Sequence, residues 1–66
     1  MVPVISSNIA AVGFENGTLQ VQFSTGAVYE YSGVPESVFN EMKASESIGR
    51  YFNQNVKSAY PFQKVG

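Results

Sequence analysis

The sequence has no cysteine and no histidine, and all of its acidic residues are glutamates. These absences exclude disulfides, thiolate nucleophiles, zinc sites of the usual Cys/His kind, and the Ser-His-Asp arrangement with its imidazole base. The six glycines are scattered singly and form no phosphate-binding loop. We therefore expect no catalytic residue, no metal and no cofactor, which favours a binding role over an enzyme.

Length and composition predict one small folded domain spanning residues 1–66. The apolar run at residues 1–5 has no basic flank and is too short for a signal peptide or a membrane span. The lack of cysteine also fits a reducing compartment. We therefore expect a cytoplasmic protein without a membrane partner.

Charge is distributed unevenly along the chain. Residues 1–42 contain four glutamates and no Lys or Arg, whereas the last 24 residues carry all four basic residues and one glutamate. The front therefore has a charge of −4 and the tail +3, which gives the net −1 of the whole chain. Nucleic-acid-binding domains are usually net basic, so this asymmetry permits a local phosphate-binding patch without requiring one.

Residues 9–31 predict an antiparallel β-meander. Two turn signals, at residues 15–17 and 24–26, separate three apolar stretches. In the middle stretch Leu19, Val21 and Phe23 alternate with polar residues, which is the period of a half-buried strand. Three strands are expected, at residues 9–14, 18–23 and 27–31.

The second turn decides which way Tyr29 and Tyr31 face. A three-residue loop pairs Phe23 with Ala27 and turns both rings toward the core, whereas a two-residue loop turns them to solvent. We prefer the three-residue loop, because it leaves Gln20, Gln22 and Glu30 together on the solvent face of the sheet.

Two short helices are predicted after the meander. Pro35 and the glutamate after it favour a helix start, and the helix over residues 34–44 has an apolar stripe of Val38, Phe39 and Met42. Ser45 or Ser47 is expected to cap a second helix.

The second helix would present an apolar face of Ile48, Tyr51, Phe52 and Val56. Pro61 prevents its continuation and leaves an extended end that is compatible with a short edge strand. The fold class is therefore α+β, with a three-stranded antiparallel β-meander followed by two short helices packed on one face.

A basic and aromatic patch in the second half is the candidate nucleic-acid-binding site. It comprises Arg50, Tyr51, Asn53, Lys57 and Tyr60, which combine cations, rings and an amide as a phosphate-and-base surface requires. A solvated helix face has the same composition, so that interpretation stays open.

The Tyr-x-Tyr pair is a second candidate feature. Tyr29 and Tyr31 on one strand face are able to stack nucleobases, but alternating aromatics on a strand are more often core residues. We assign them a supporting role.

The order of these motifs resembles the KTSC family, which is named after lysyl-tRNA synthetase. The Tyr-x-Tyr of residues 29–31 looks like the family's central motif, and residues 6–9, 12–14, 34–35 and 49–53 are similar to its other characteristic stretches. The resemblance spans residues 6 to about 62. It implies a short domain that is found alone in bacterial and phage proteins or appended to the C-terminus of some lysyl-tRNA synthetases, and it implies RNA binding as the suggested role.

The sequence is therefore compatible with two functions. The first is a non-catalytic binding module with RNA, either tRNA or a single strand, as its partner. The alternative is a protein-interaction or self-associating module, including a homo-oligomer, because nine aromatic residues are more than so small a core readily covers.

Overall fold

The structure is a computed structural model that describes residues 1–4, 6 and 8–66. Ile5 of the N-terminal apolar run and Ser7 of the 6–9 stretch lie outside the described residues. The elements in chain order are β1 (Val2–Pro3), β2 (Ile9–Glu15), β3 (Thr18–Phe23), β4 (Val28–Tyr31), α1 (Glu36–Ala44), α2 (Ile48–Asn55) and β5 (Phe62–Lys64).

The α+β class and the meander are confirmed, but the sheet is larger than predicted. The five described strands form one antiparallel sheet in the order β1-β2-β3-β4-β5. The extended end forms β5, whereas β1 was not predicted at all. Only Val2 and Pro3 belong to β1, opposite Val12 and Ala11, and two residues show no periodicity from which a strand is recognised.

A bulge in β2 brings its apolar residues onto one face. Ile9 lies opposite Phe23 and Val12 opposite Val21, and the register shifts by one residue between them. A regular strand places residues three apart on opposite faces of the sheet. The extra residue of the bulge reverses this alternation once, so Ile9 and Val12 point to the same face. As a result Ile9 and Val12 are both buried on the face that carries the helices.

The register of β4 follows the three-residue loop. Val21 lies opposite Tyr29 and Leu19 opposite Tyr31, and the Phe23 N–H donates to the Ala27 carbonyl at 2.8 Å. The prediction that the rings share the core-facing side is confirmed.

The opposite sheet face is polar, as predicted. Gln20 pairs with Glu30 across the strands, and its Nε2 donates to Oε2 of Glu30 at 3.1 Å. The register therefore places Glu30 on the face without helices.

The first helix begins at Glu36, two residues later than predicted, with Pro35 as its extended N-cap and not its first helical residue, whereas the second begins after one of the two predicted caps. Pro35 immediately precedes α1, and Ser47 is the N-cap of α2, where its Oγ accepts from the Arg50 N–H at 3.2 Å. Of the two serines proposed as the cap, the structure selects Ser47. Ser45 instead donates from Oγ to the Met42 carbonyl at the end of α1.

The core lies between the helices and one face of the sheet. Its buried members from the strands pack against Met42 of α1, Phe52 of α2, and Val34 and Val56 in the connections. Within the described residues, no helix is long and apolar enough to cross a membrane.

The difference in burial between two valines predicts that the same change to alanine lowers the free energy of unfolding by very different amounts. Val56 is fully buried and Val65 is 47% exposed. We expect Val56→Ala to lower the free energy of unfolding by about 1.5–3 kcal/mol, because it removes packed methyl groups. Val65→Ala should change it by less than about 0.5 kcal/mol. Urea unfolding followed by circular dichroism measures both, and equal costs would contradict the placement of Val56 in the core.

Candidate functional site: an aromatic groove

Five aromatic rings meet on the helix-bearing side of the sheet. The contacts run from Phe23 to Tyr29, Phe62, Tyr31, Phe52 and back to Phe23, with ring centroids 5.2–5.7 Å apart. These separations are typical of direct aromatic contacts. The cluster therefore joins β3, β4, β5 and α2.

Exposure divides the cluster into a covered and an open part. Tyr31 and Phe52 are 4% and 2% exposed. Phe23 and Tyr29 are only half-buried, and Phe62 is 59% exposed. The expectation that both tyrosines lie in the core is thus met by Tyr31, whereas Tyr29 is only half-buried, with its ring against Phe23 and Phe62.

The open rings line a groove of about 670 Å³, a size typical of ligand sites. Its polar lining includes Asn8, Asn53 and Lys57, together with hydroxyl-bearing side chains. Among the described residues that line it there is no carboxylate. The groove therefore combines aromatic surface with one ammonium group and two amides.

Backbone hydrogen bonds hold the polar lining residues in place. The Asn8 carbonyl accepts from the Ser24 N–H at 2.8 Å, which fixes Asn8 beside the β3–β4 turn. Beyond α2, the Lys57 N–H donates to the Phe52 carbonyl at 2.9 Å, so Lys57 follows directly from the helix that supplies Phe52. Lys57 and Asn53 are both exposed.

The five residues predicted as the nucleic-acid-binding patch do not form one surface. Asn53 and Lys57 line the groove. Arg50 and Tyr51 border a separate hollow of about 250 Å³. Tyr60 is half-buried against the core.

Tyr51 has a structural contact that sequence reasoning did not find. Its hydroxyl donates to Oε1 of Glu41 at 2.9 Å and so links α2 to α1. Partial burial, the hydrogen bond to Glu41, the charge of Glu41 and the neighbouring Tyr60 all raise the pKa of Tyr51. A carboxylate at this hydroxyl disfavours a phosphate there.

The open rings Phe23 and Phe62, and the amide of Asn8, were missed as site residues. Phe23 fits the alternation of a core strand, and Phe62 stands in a tail that the sequence alone could not place. The pairing of Phe62 with Tyr31 is what brings it to the groove. Only knowledge of how β5 pairs with β4 would have identified Phe62 as a site residue.

Fold and groove together define a small α+β domain with an open aromatic site, and comparison with known proteins gives its family. The KTSC domain family model matches residues 5–60. The fold matches the crystal structure of a KTSC domain protein from Yersinia pestis with a TM-score of 0.93 and 35% identity, over 97% of this chain and 93% of that one. The chain belongs to the KTSC domain family, as the resemblance in its sequence indicated.

Relatives occur as small proteins and within a much longer one. A protein of Tsukamurella paurometabola is 42% identical over 62 residues, which cover 91% of this chain and 92% of that protein. A lysine–tRNA ligase of Nostoc punctiforme is 38% identical over 48 residues, which cover 73% of this chain but only 9% of the ligase.

The burial of Tyr31 predicts a loss of stability at high pH. Burial, and then the neighbouring Tyr29, raise the pKa of Tyr31 above its ordinary value of 10.0. An unfolded chain ionises its tyrosines near pH 10, so the contribution of neutral Tyr31 is complete below about pH 10 and is lost as the pH rises through the raised folded pKa. Tyr31→Phe should therefore reduce the fall in the free energy of unfolding above about pH 10.

Urea unfolding at a series of pH values measures this effect. Tyr60→Phe removes a phenol outside the groove and serves as the control, which should retain the wild-type fall. An identical pH dependence in Tyr31→Phe and the wild type would show that Tyr31 does not cause it.

Proposed function

We propose that this domain is a non-catalytic binding module and that its ligand is single-stranded RNA bound in the aromatic groove. The observation that carries the proposal is the composition of the groove lining. Aromatic rings and amides accompany Lys57 there, and no carboxylate is present among the described residues that line the groove. Single-strand binders combine stacking platforms with cations that follow the backbone in this way.

The charges near the groove support an anionic ligand despite the net charge of −1. Lys64 lies opposite Tyr29 in the sheet and so belongs to the same face. Glu30 lies on the other face, where it accepts a hydrogen bond from Gln20, and Glu41 accepts one from Tyr51. The local charge of the site is thus positive while the acidic residues lie elsewhere.

The contact patch predicted from the sequence is retained in a narrower form. Asn53 and Lys57 are the direct contacts, whereas Arg50 borders the separate hollow beside Tyr51. Tyr51 and Tyr60 contribute through packing and through the link to α1. Tyr31 is the floor of the groove and Tyr29 part of its open wall.

The relatives also support RNA as the ligand class. A lysine–tRNA ligase is named for a tRNA substrate, and a segment similar to this chain makes up 9% of such a protein. An RNA-binding domain would add substrate affinity to a protein of that kind.

Salt dependence tests the electrostatic part of this proposal. Contacts of Lys57 and Lys64 with two phosphates imply a slope of about −1.4 for log K against log salt, hence binding about 7-fold weaker at about 200 mM than at about 50 mM salt. Fluorescence anisotropy with a labelled hexauridylate measures the slope. Absence of binding at about 50 mM salt would refute RNA as the ligand.

A matched pair of lysine variants locates the contact. Lys57→Gln should reduce the magnitude of the slope by about 0.7, because one phosphate contact is lost. Lys43→Gln makes the same charge change on α1, where the ammonium lies 4.3 Å from the centroid of the Phe39 ring, and should leave the slope nearly unchanged. Equal effects of the two changes would mean that binding responds to net charge and not to the groove.

A protein-interaction or self-associating role is the second candidate, and the exposure of Phe62 favours it. The outer strands oppose pairing between sheet edges, since they have two and three residues and carry or follow a proline, Pro3 in β1 and Pro61 before β5. Light scattering at high concentration distinguishes the two roles. A dimer that Phe62→Ala dissociates would support self-association.

A further inference from the structure

The open rings of the groove differ in what they offer a ligand. Phe62 and Tyr29 have centroids 5.7 Å apart and planes inclined at 49°. Rings at this distance already touch, so a base does not fit between them. Their free faces, on the groove side, are the surface on which a flat group stacks.

We propose that this surface, the Phe62–Tyr29 platform, is a subsite for one unstacked nucleobase, with the side-chain amides of Asn8 and Asn53 as the groups that contact its edge. This inference rests on the proposed RNA-binding function and names the part of the ligand that the groove recognises. Base–aromatic stacking requires an exposed ring, and Phe62 is the most exposed residue of the cluster.

The amides give the subsite its hydrogen-bonding chemistry. Asn8 and Asn53 approach the groove from the β2 side and from α2, and both are exposed. An asparagine amide has donors and an acceptor together, which is the combination that matches the edge of a base. Lys57, in the same lining, is placed for the phosphate of the same nucleotide.

The positive charge of the lining disfavours a cationic ligand, which is the other kind of ligand that aromatic clusters bind. Ring faces also bind quaternary ammonium groups, such as those of choline or trimethyllysine. The ammonium of Lys57 in the groove, without a carboxylate among the described lining residues, repels a cation. An anionic ligand with a flat aromatic part fits both features.

A base subsite requires a base that is free to leave its stack. Bases in a duplex are stacked on their neighbours and pair through the edges that the amides would contact. Hexauridylate should therefore bind at least tenfold more tightly than a six-base-pair RNA duplex. Uridine 5′-monophosphate should likewise bind at least tenfold more tightly than ribose 5-phosphate, which has the phosphate and sugar but no base.

Amide chemical-shift titrations of the full chain at about 50 mM salt test these comparisons. Hexauridylate and uridine 5′-monophosphate should shift the resonances of the residues that form the subsite, which are Asn8, Tyr29, Asn53, Lys57 and Phe62. Phe62→Ala should weaken hexauridylate binding about tenfold to a hundredfold, because it removes a stacking face. Phe62→Leu keeps an apolar side chain without that face and should lose nearly as much, whereas Phe62→Tyr should bind almost like the wild type.

The outcomes separate this inference from the function on which it rests. Unchanged binding by folded Phe62→Ala and Phe62→Leu, with a reduced salt slope in Lys57→Gln, would leave RNA binding in place and overturn the base subsite. Equal affinity for duplex and single strand, or a groove that binds trimethyllysine in preference to the nucleotide, would also overturn it. Failure of every RNA probe at about 50 mM salt would overturn the proposed function and the subsite together.

Discussion

The register of β3 against its two neighbours is the constraint on which the rest of the structure depends. Leu19 and Val21 are fully buried, and their cross-strand partners include Val12 on one side and Tyr29 on the other. A shift of one residue would exchange this face with the glutamine face, because side chains alternate along a strand. The helices would then meet polar groups, so a slip of one residue would leave them without an apolar core.

The register also determines the groove, because it places Tyr29 and Tyr31 in successive positions on the helix-bearing face. Phe52 of α2 packs against Tyr31, which is buried, whereas Tyr29 is half-buried. One strand thus supplies both a core residue and a site residue, and it does so with the same residue type. The difference between the two tyrosines arises from what packs above them and not from the strand itself.

The sequence was sufficient for the parts of the fold that local pattern and turn chemistry determine. The alternation in β3 and the turn before Ala27 are local features and were predicted, and the cap at Ser47 was one of the two serines proposed. The strand β1 could not be predicted from its two residues, because a strand this short exists only through its pairing with β2. The bulge in β2 is likewise a response to packing.

The candidate site was less predictable than the fold, because it too depends on pairing and packing between distant parts of the chain. Asn53 and Lys57 were found because cations and amides near an aromatic residue are recognisable within a short stretch of sequence. Phe62 was missed because its position depends on a strand pairing between distant parts of the chain. Arg50 and Tyr51 were grouped with the others by proximity in sequence, although α2 directs them to a different hollow.

An edge strand of the sheet carries the most open ring of the site. All three residues of β5 are exposed, and the strand is attached along one side only, to β4. Such a strand opens locally at a lower free-energy cost than the core, which remains folded meanwhile. A ligand that rests on Phe62 can do so only while β5 is closed, so occupancy of the groove and hydrogen-exchange protection of the β5 amides are thermodynamically linked.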